Sequence, residues 1–231
     1  MRDKLEIFEL TVVVRARLHN PSILNPDFLK YNEVVPIDWE LAESPVCTEI
    51  VAQVKYKNGV SIVAQPNKVI FAELLAGPST YEARVPGLAK KYTETLPHVK
   101  YDALGINPKG LVVADSEAEA ESFLIEKVIM PGPWKTYAGG AKDIKLALQY
   151  SVNDAKMMLD AESAETGQQG PYPKGTPIVV FGANFHREIS NCEPKQRLER
   201  AHEAIDRWRD DLTAFESMVN DCFLKGGQPG A

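Results

Sequence analysis

Short turns between alternating apolar runs constrain this chain more than any other feature. Strands joined by two or three residues pair antiparallel, whereas a parallel neighbour needs a crossover of a dozen residues or more. Val46, Thr48, Ile50, Ala52, Val54 and Tyr56 alternate with Cys47, Glu49, Val51, Gln53 and Lys55, which predicts one half-buried strand. It meets Asn58-Gly59, a dipeptide that accepts positive φ at both central turn positions, and returns through Val60 to Gln65. Pro66-Asn67 turns the chain again into Val69 to Leu75, completing a three-stranded meander. A second set follows the same grammar: Ile144, Leu146, Leu148, Tyr150 and Val152 alternate with Lys145, Ala147, Gln149 and Ser151. A turn falls at Asn153-Asp154, Lys156 to Ser163 alternates again, and Ile178 to Phe185 reads as a further strand. Near the start, Leu10, Val12, Val14, Ala16 and Leu18 oppose Arg15, Arg17 and His19, and Val99 to Ile106 is expected to end at an Asn107–Gly110 turn.

Three helices complete the pattern. Pro86 suits a first helical position, and Leu88, Ala89, Tyr92 and Leu96 recur at helical spacing before Pro97. Ser116 and Glu119 form a capping box that opens a helix to about Val128, burying Ala120, Phe123 and Leu124. The most regular element is the last, where Leu198, Ala201, Ile205, Trp208, Leu212, Phe215, Val219 and Cys222 are separated by alternating steps of 3 and 4 residues. Pro194 suits its first turn and Gly226-Gly227 stops it, so a helix of about 30 residues, roughly 45 Å long, is expected. Its stripe can pack on the protein's own sheet or zip against a second copy; Trp208 and Phe215 are bulky for a two-stranded seam and favour the sheet.

The expected fold class is therefore α+β, with mainly antiparallel sheet packed by helices on one face. Residues 46–97 and 142–224 share a β-β-β-α plan, and a long amphipathic helix closes the chain. One integrated domain is expected over 1–231, with halves 1–115 and 116–225 and a flexible tail at 226–231. Residues 20–45, which hold Pro21, Pro26, Pro36 and Pro45, are irregular apart from a short helical turn at Pro26 to Tyr31.

The run Ala42 to Val54, the strand end Leu104-Gly105-Ile106-Asn107 after an amphipathic helix, and the long closing helix with His202 near its start carry a resemblance. On these residues the chain resembles an uncharacterised, sporadically distributed family of prokaryotic α+β proteins. The resemblance implies a bacterial cytoplasmic protein with no assigned catalytic residues, and a role in a mobile or defence-related gene cluster.

Composition excludes several classes. With 26 Lys+Arg against 32 Asp+Glu the formal charge is −6, whereas a dedicated nucleic-acid binder usually carries a basic domain or stripe. No apolar run approaches the ~18–20 residues of a membrane span. The N-terminus has acids where a secretory leader has an apolar core, so the cytoplasm is expected. Cys47, Cys192 and Cys222, an odd set without close spacing, read as free buried thiols.

Chemical signatures are sparse. Glycine-rich phosphate cradles and the Gly-x-Ser-x-Gly elbow do not occur. His186, Cys192 and His202 are the nearest approach to a zinc set, and their spacing reads as incidental packing. Asp115, Glu117, Glu119 and Glu121 read as helix-opening acids, and Asp206, Asp210 and Asp211 as the solvated face of the last helix. No catalytic residue, metal or cofactor is assigned. The candidates that remain are aromatic residues in loops, Trp39, Trp134, Tyr137 and Tyr172, as partner contacts, and Arg15 and Arg17 as a basic patch. Three readings stay open. The first is a non-enzymatic binding or assembly module acting through a protein partner or self-association. The second is a small-molecule enzyme or sensor with a pocket between sheet and long helix. The third is a nucleic-acid-linked accessory or toxin–antitoxin component.

Overall fold

Nine strands join in one sheet in the computed structural model, which describes residues 1–75, 82–129, 132–141, 144–167, 172–190, 193 and 196–225. In chain order the elements are β1 (Glu6–Arg17), α1 (Pro26–Tyr31), β2 (Val46–Cys47), β3 (Ala52–Lys55), β4 (Val60–Gln65), β5 (Lys68–Leu74) and α2 (Val85–Thr95). Then come β6 (Lys100–Val113), α3 (Glu117–Lys127), β7 (Leu146–Val152), β8 (Ala155–Glu165), β9 (Pro177–Glu188), α4 (Arg197–Asp206) and α5 (Trp208–Ser217), with a π-helix at Met218–Leu224. The sheet order is β2-β3-β4-β5-β1-β6-β9-β8-β7, and each pair of neighbours is antiparallel.

This order reads the same from either end of the central β1–β6 pair. β1 and β6 lie side by side, β5 and β9 flank them, then β4 and β8, then β3 and β7. The repeated unit is thus a strand, a helical connection, a three-stranded meander and a helix, one strand longer than the β-β-β-α plan. The α+β class with helices over one sheet face holds. Leu10, Val12, Val14 and Ala16 of β1 are buried on that face, where α2 crosses β1 and β5, α4 and α5 cross β6, and α3 lies over β8 and β9.

Several expected boundaries move, each for a local reason. The run 46–56 is two strands, because Thr48 makes a turn: its Oγ1 accepts from Val51 N (3.0 Å) and donates to Val51 O (2.7 Å). At Asn58-Gly59 only the glycine has positive φ (+86°), and Tyr56 N bonds to Val60 O across a three-residue loop. Both central residues of the β7–β8 turn, Asn153 (+49°) and Asp154 (+60°), are left-handed, so the two-residue turn is there. Asn107–Gly110 is no turn. β6 runs through it, and its ladder to β9 lapses between Ile106 and Lys109, where Pro108 has no N–H to give. Leu18 lies past the end of β1 at φ +58° and is 95 % exposed, off the core stripe.

The closing helix is bent rather than continuous, with α4 ending at Asp206 and α5 beginning at Trp208. Ala201, Ile205, Trp208, Leu212, Phe215 and Val219 are buried as their spacing predicts. Winding then changes to π, whose i→i+5 pattern carries Phe223 and Leu224 inward and turns Cys222 out. Phe223 packs edge-on against Phe181 of β9, with 5.6 Å between centroids. Cys47 and Cys222 are both exposed, contrary to the reading of buried thiols. Cys192, Pro194 and the 226–231 tail lie outside the described residues.

Candidate functional site

The two ends of the sheet are finished differently. At one end β3 is covered by the two-residue β2 and by a bridge from Leu41 to Tyr56. At the other end β7 pairs with β8 alone, and among the described residues nothing pairs with its outer edge. Its sequence, Leu146-Ala147-Leu148-Gln149-Tyr150-Ser151-Val152, holds no charge and no proline. Edge strands are ordinarily protected by charge, proline, a bulge or brevity, and the paired residues of β7 show none of these.

Turn geometry fixes which backbone groups face outward. A two-residue turn with both φ positive closes on a hydrogen-bonded pair, here Val152 and Ala155. Alternation then assigns Tyr150, Leu148 and Leu146 to the β8 ladder and leaves the N–H and C=O groups of Ser151, Gln149 and Ala147 pointing away from it. Those three side chains are exposed, while Leu146, Leu148, Tyr150 and Val152 are half-buried against the core on the helix side.

A cleft of about 1210 Å³ opens beside the end of this hairpin, between the β7–β8 turn, the end of β9 and α4. Its floor is an ion cluster that sequence reading missed. Arg187 donates to both oxygens of Asp211 (2.7 and 2.8 Å), to Asp154 (2.9 Å) and to Asn153 O (2.8 Å). Asp211, expected on the solvated face, is 0 % exposed: three residues after Trp208 and four before Phe215, it lies on the inward side of α5. Burial pushes its carboxyl up and the guanidinium draws it back down. Apart from Lys156, the other charged side chains of the lining are paired as well: His186 with Glu188 (3.0 Å), Arg200 with Glu203 (3.4 Å), Arg207 with Asp210 (3.5 Å), and Asp206 with Lys90 of α2 (2.9 Å). Charges matched in this way offer no concentrated field to an ionic ligand. Among the described residues no three His, Cys, Asp or Glu side chains converge as metal ligands do. His202 is engaged elsewhere, with Nε2 3.0 Å from Thr93 Oγ1.

The residues singled out from sequence do not form one site. Trp39 packs edge-on to Tyr56 (5.1 Å) under the Arg84 guanidinium (5.2 Å), covering the β3 end of the core. Tyr172 bonds to Glu6 and Arg2 beside β1. Trp134 and Tyr137 lie in Pro133–Gly139, a 3₁₀ segment kinked at Tyr137 and Ala138 that precedes β7 in the chain, and they are 38 % and 80 % exposed. Arg15 and Arg17 both face the Asp102 carboxylate, at 3.3 and 3.1 Å, so the patch is partly neutralised by an acid next to it. The lack of charge in 146–152 was legible in the sequence; its place at the sheet's end was not, since only the topology puts β7 there. Among the described residues no helix is long and apolar enough to cross a membrane. No family model, curated protein or solved structure matches this chain.

Proposed function

We propose that this protein is a binding and assembly module that takes up an extended polypeptide segment by strand addition on β7. The observation that carries the reading is the contrast between the two ends of the sheet: one closed by β2, the other an uncharged seven-residue edge that is unpaired among the described residues. Strand addition draws affinity from main-chain hydrogen bonds and specificity from alternate side chains. The half-buried Leu148 and Tyr150 supply an apolar step for those side chains to meet. Two exposed free thiols suit a reducing compartment, so we assign the module to the cytoplasm, in the accessory role that the family resemblance implies.

The test is a displayed library of random seven-residue peptides selected against the wild type and against Gln149→Pro. The substitution removes one outward N–H and no bond of the β7–β8 ladder. Enrichment of uncharged, β-prone peptides that bind wild type and not Gln149→Pro supports the reading. Failure to select any peptide that depends on Gln149, in a protein whose β7 edge also mediates no other contact, would overturn it.

A further inference from the structure

The edge of β7 is complementary to itself, and from this we infer that its occupant is β7 of a second copy, paired antiparallel across a two-fold axis at Gln149. The inference rests on the strand-addition reading and names its partner. Two copies of one strand related by a two-fold axis pair antiparallel, residue i against residue j and j against i. The outward backbone groups belong to Ala147, Gln149 and Ser151. An axis at Gln149 sets Gln149 against Gln149 and Ala147 against Ser151 of the other copy, so all the outward N–H and C=O groups of the strand find partners. An axis at Leu148 or Tyr150 leaves one of the three to pair beyond the strand, and an axis at Ala147 or Ser151 leaves two.

The side chains agree with that register. On the helix side Leu148 meets Tyr150 and Leu146 meets Val152, each an apolar pair at cross-strand distance. These four are half-buried in the single copy, and the second strand would complete their cover. On the open face the central pair is two glutamine amides, able to donate to and accept from each other. No charge falls anywhere in the paired seven, which removes the usual penalty for like residues meeting at a symmetry axis. Self-pairing at the other end of the sheet has no such basis: β2 is two residues long, and β3 beneath it is four residues ending in Lys55. The long closing helix offers no second seam either, since its stripe is buried on the protein's own sheet.

The experiment is the solution mass of the purified full chain by light scattering and sedimentation. Wild type is expected at twice 25.6 kDa, and Gln149→Pro at 25.6 kDa with unchanged circular dichroism. Should the proline variant fold poorly, Gln149→Lys and Gln149→Glu carry the test. Each alone should weaken association about tenfold or more by setting like charges on the axis, and their equimolar mixture should restore it. A wild type that stays monomeric at about 100 µM overturns the inference, as does a dimer indifferent to all three variants. Monomeric wild type that still selects Gln149-dependent peptides removes the second copy while leaving strand addition intact. Loss of both results removes strand addition itself.

Discussion

Asp211 shows what one buried carboxylate contributes to this fold. It and Arg187 are nearly solvent-free, and between them they fasten α5 to β9 and to the carbonyl and carboxylate of the β7–β8 turn. Removing one partner leaves the other as an uncompensated buried charge. Asp211→Leu or Arg187→Met should therefore each cost about 3–5 kcal/mol, and the two changes together should cost markedly less than their sum. Urea unfolding of the four-member cycle gives the number, and additive costs would show that the pair does not act as a unit. Two histidines set a pH limit at the same scale. His19 is buried with Nε2 2.6 Å from the Tyr92 hydroxyl, and burial lowers the proton affinity of both His19 and His202 below the ordinary 6.5. The unfolded chain then takes up protons first as pH falls through 6.5, so stability held above that value is lost below it. Melting temperature should drop between about pH 7.5 and pH 5.5, and His19→Gln with His202→Gln should flatten the drop. The buried histidine was not legible in the sequence, since His19 looks like the polar side of a strand until β1 ends at Arg17. Asp211 was legible in part: it lies three residues after Trp208 and four before Phe215, beside the buried stripe, but its partner Arg187 is brought to it only by the fold.

Elements were far more legible than their ends. Period-two runs and the alternating steps of the last helix located the main strands and helices, because burial on one face imposes those periods directly. The errors fell where a side chain competes with the backbone: Thr48 breaks an alternating run by bonding within its own turn, and the π winding after Ser217 shifts the inward position from Cys222 to Phe223. The start of α2 belongs to the same class. It has no capping side chain of its own. Instead the buried Glu73 of β5 accepts from the N–H groups of Arg84 (2.6 Å) and Val85 (3.2 Å) and from Arg84 Nε (2.6 Å). A carboxylate there satisfies donors that a helix start leaves open and meets the positive end of its dipole. Glu73→Gln keeps the shape and loses the charge, so it should cost about 1.5–3 kcal/mol and let the first turn of α2 fray. Hydrogen exchange should show faster amides at Arg84 and Val85 with β5 unchanged. Uniform loss of protection across the sheet would mean that Glu73 supports the core rather than the helix start.

At the scale of the whole molecule, a sheet built symmetrically about β1 and β6 ends asymmetrically, and the proposed assembly follows from that difference. Its dependence on salt separates it from the other readings. Each copy carries a formal charge of −6, so two copies repel at long range, while the strand that joins them is uncharged. Raising ionic strength from about 0.01 M to about 0.1 M shortens the screening length from about 30 Å to about 10 Å and removes most of that repulsion. Association through β7 should therefore hold or tighten as salt is added. Sedimentation at a series of salt concentrations measures it directly. Contact made through Arg15 and Arg17 on an acidic surface or a nucleic acid would show the reverse, weakening steeply because each neutralised charge releases counterions that added salt returns. Asp102 lies against both arginines and offsets one of their two charges, so such a contact would draw on the remainder together with Lys68 and Lys100, their cross-strand neighbours. A dimer that strengthens with salt, is abolished by Gln149→Pro and is unchanged by Arg15→Ala with Arg17→Ala would place the interface at the uncovered edge. A dimer that weakens with salt and responds to the arginines would move it to the open face of the central strands.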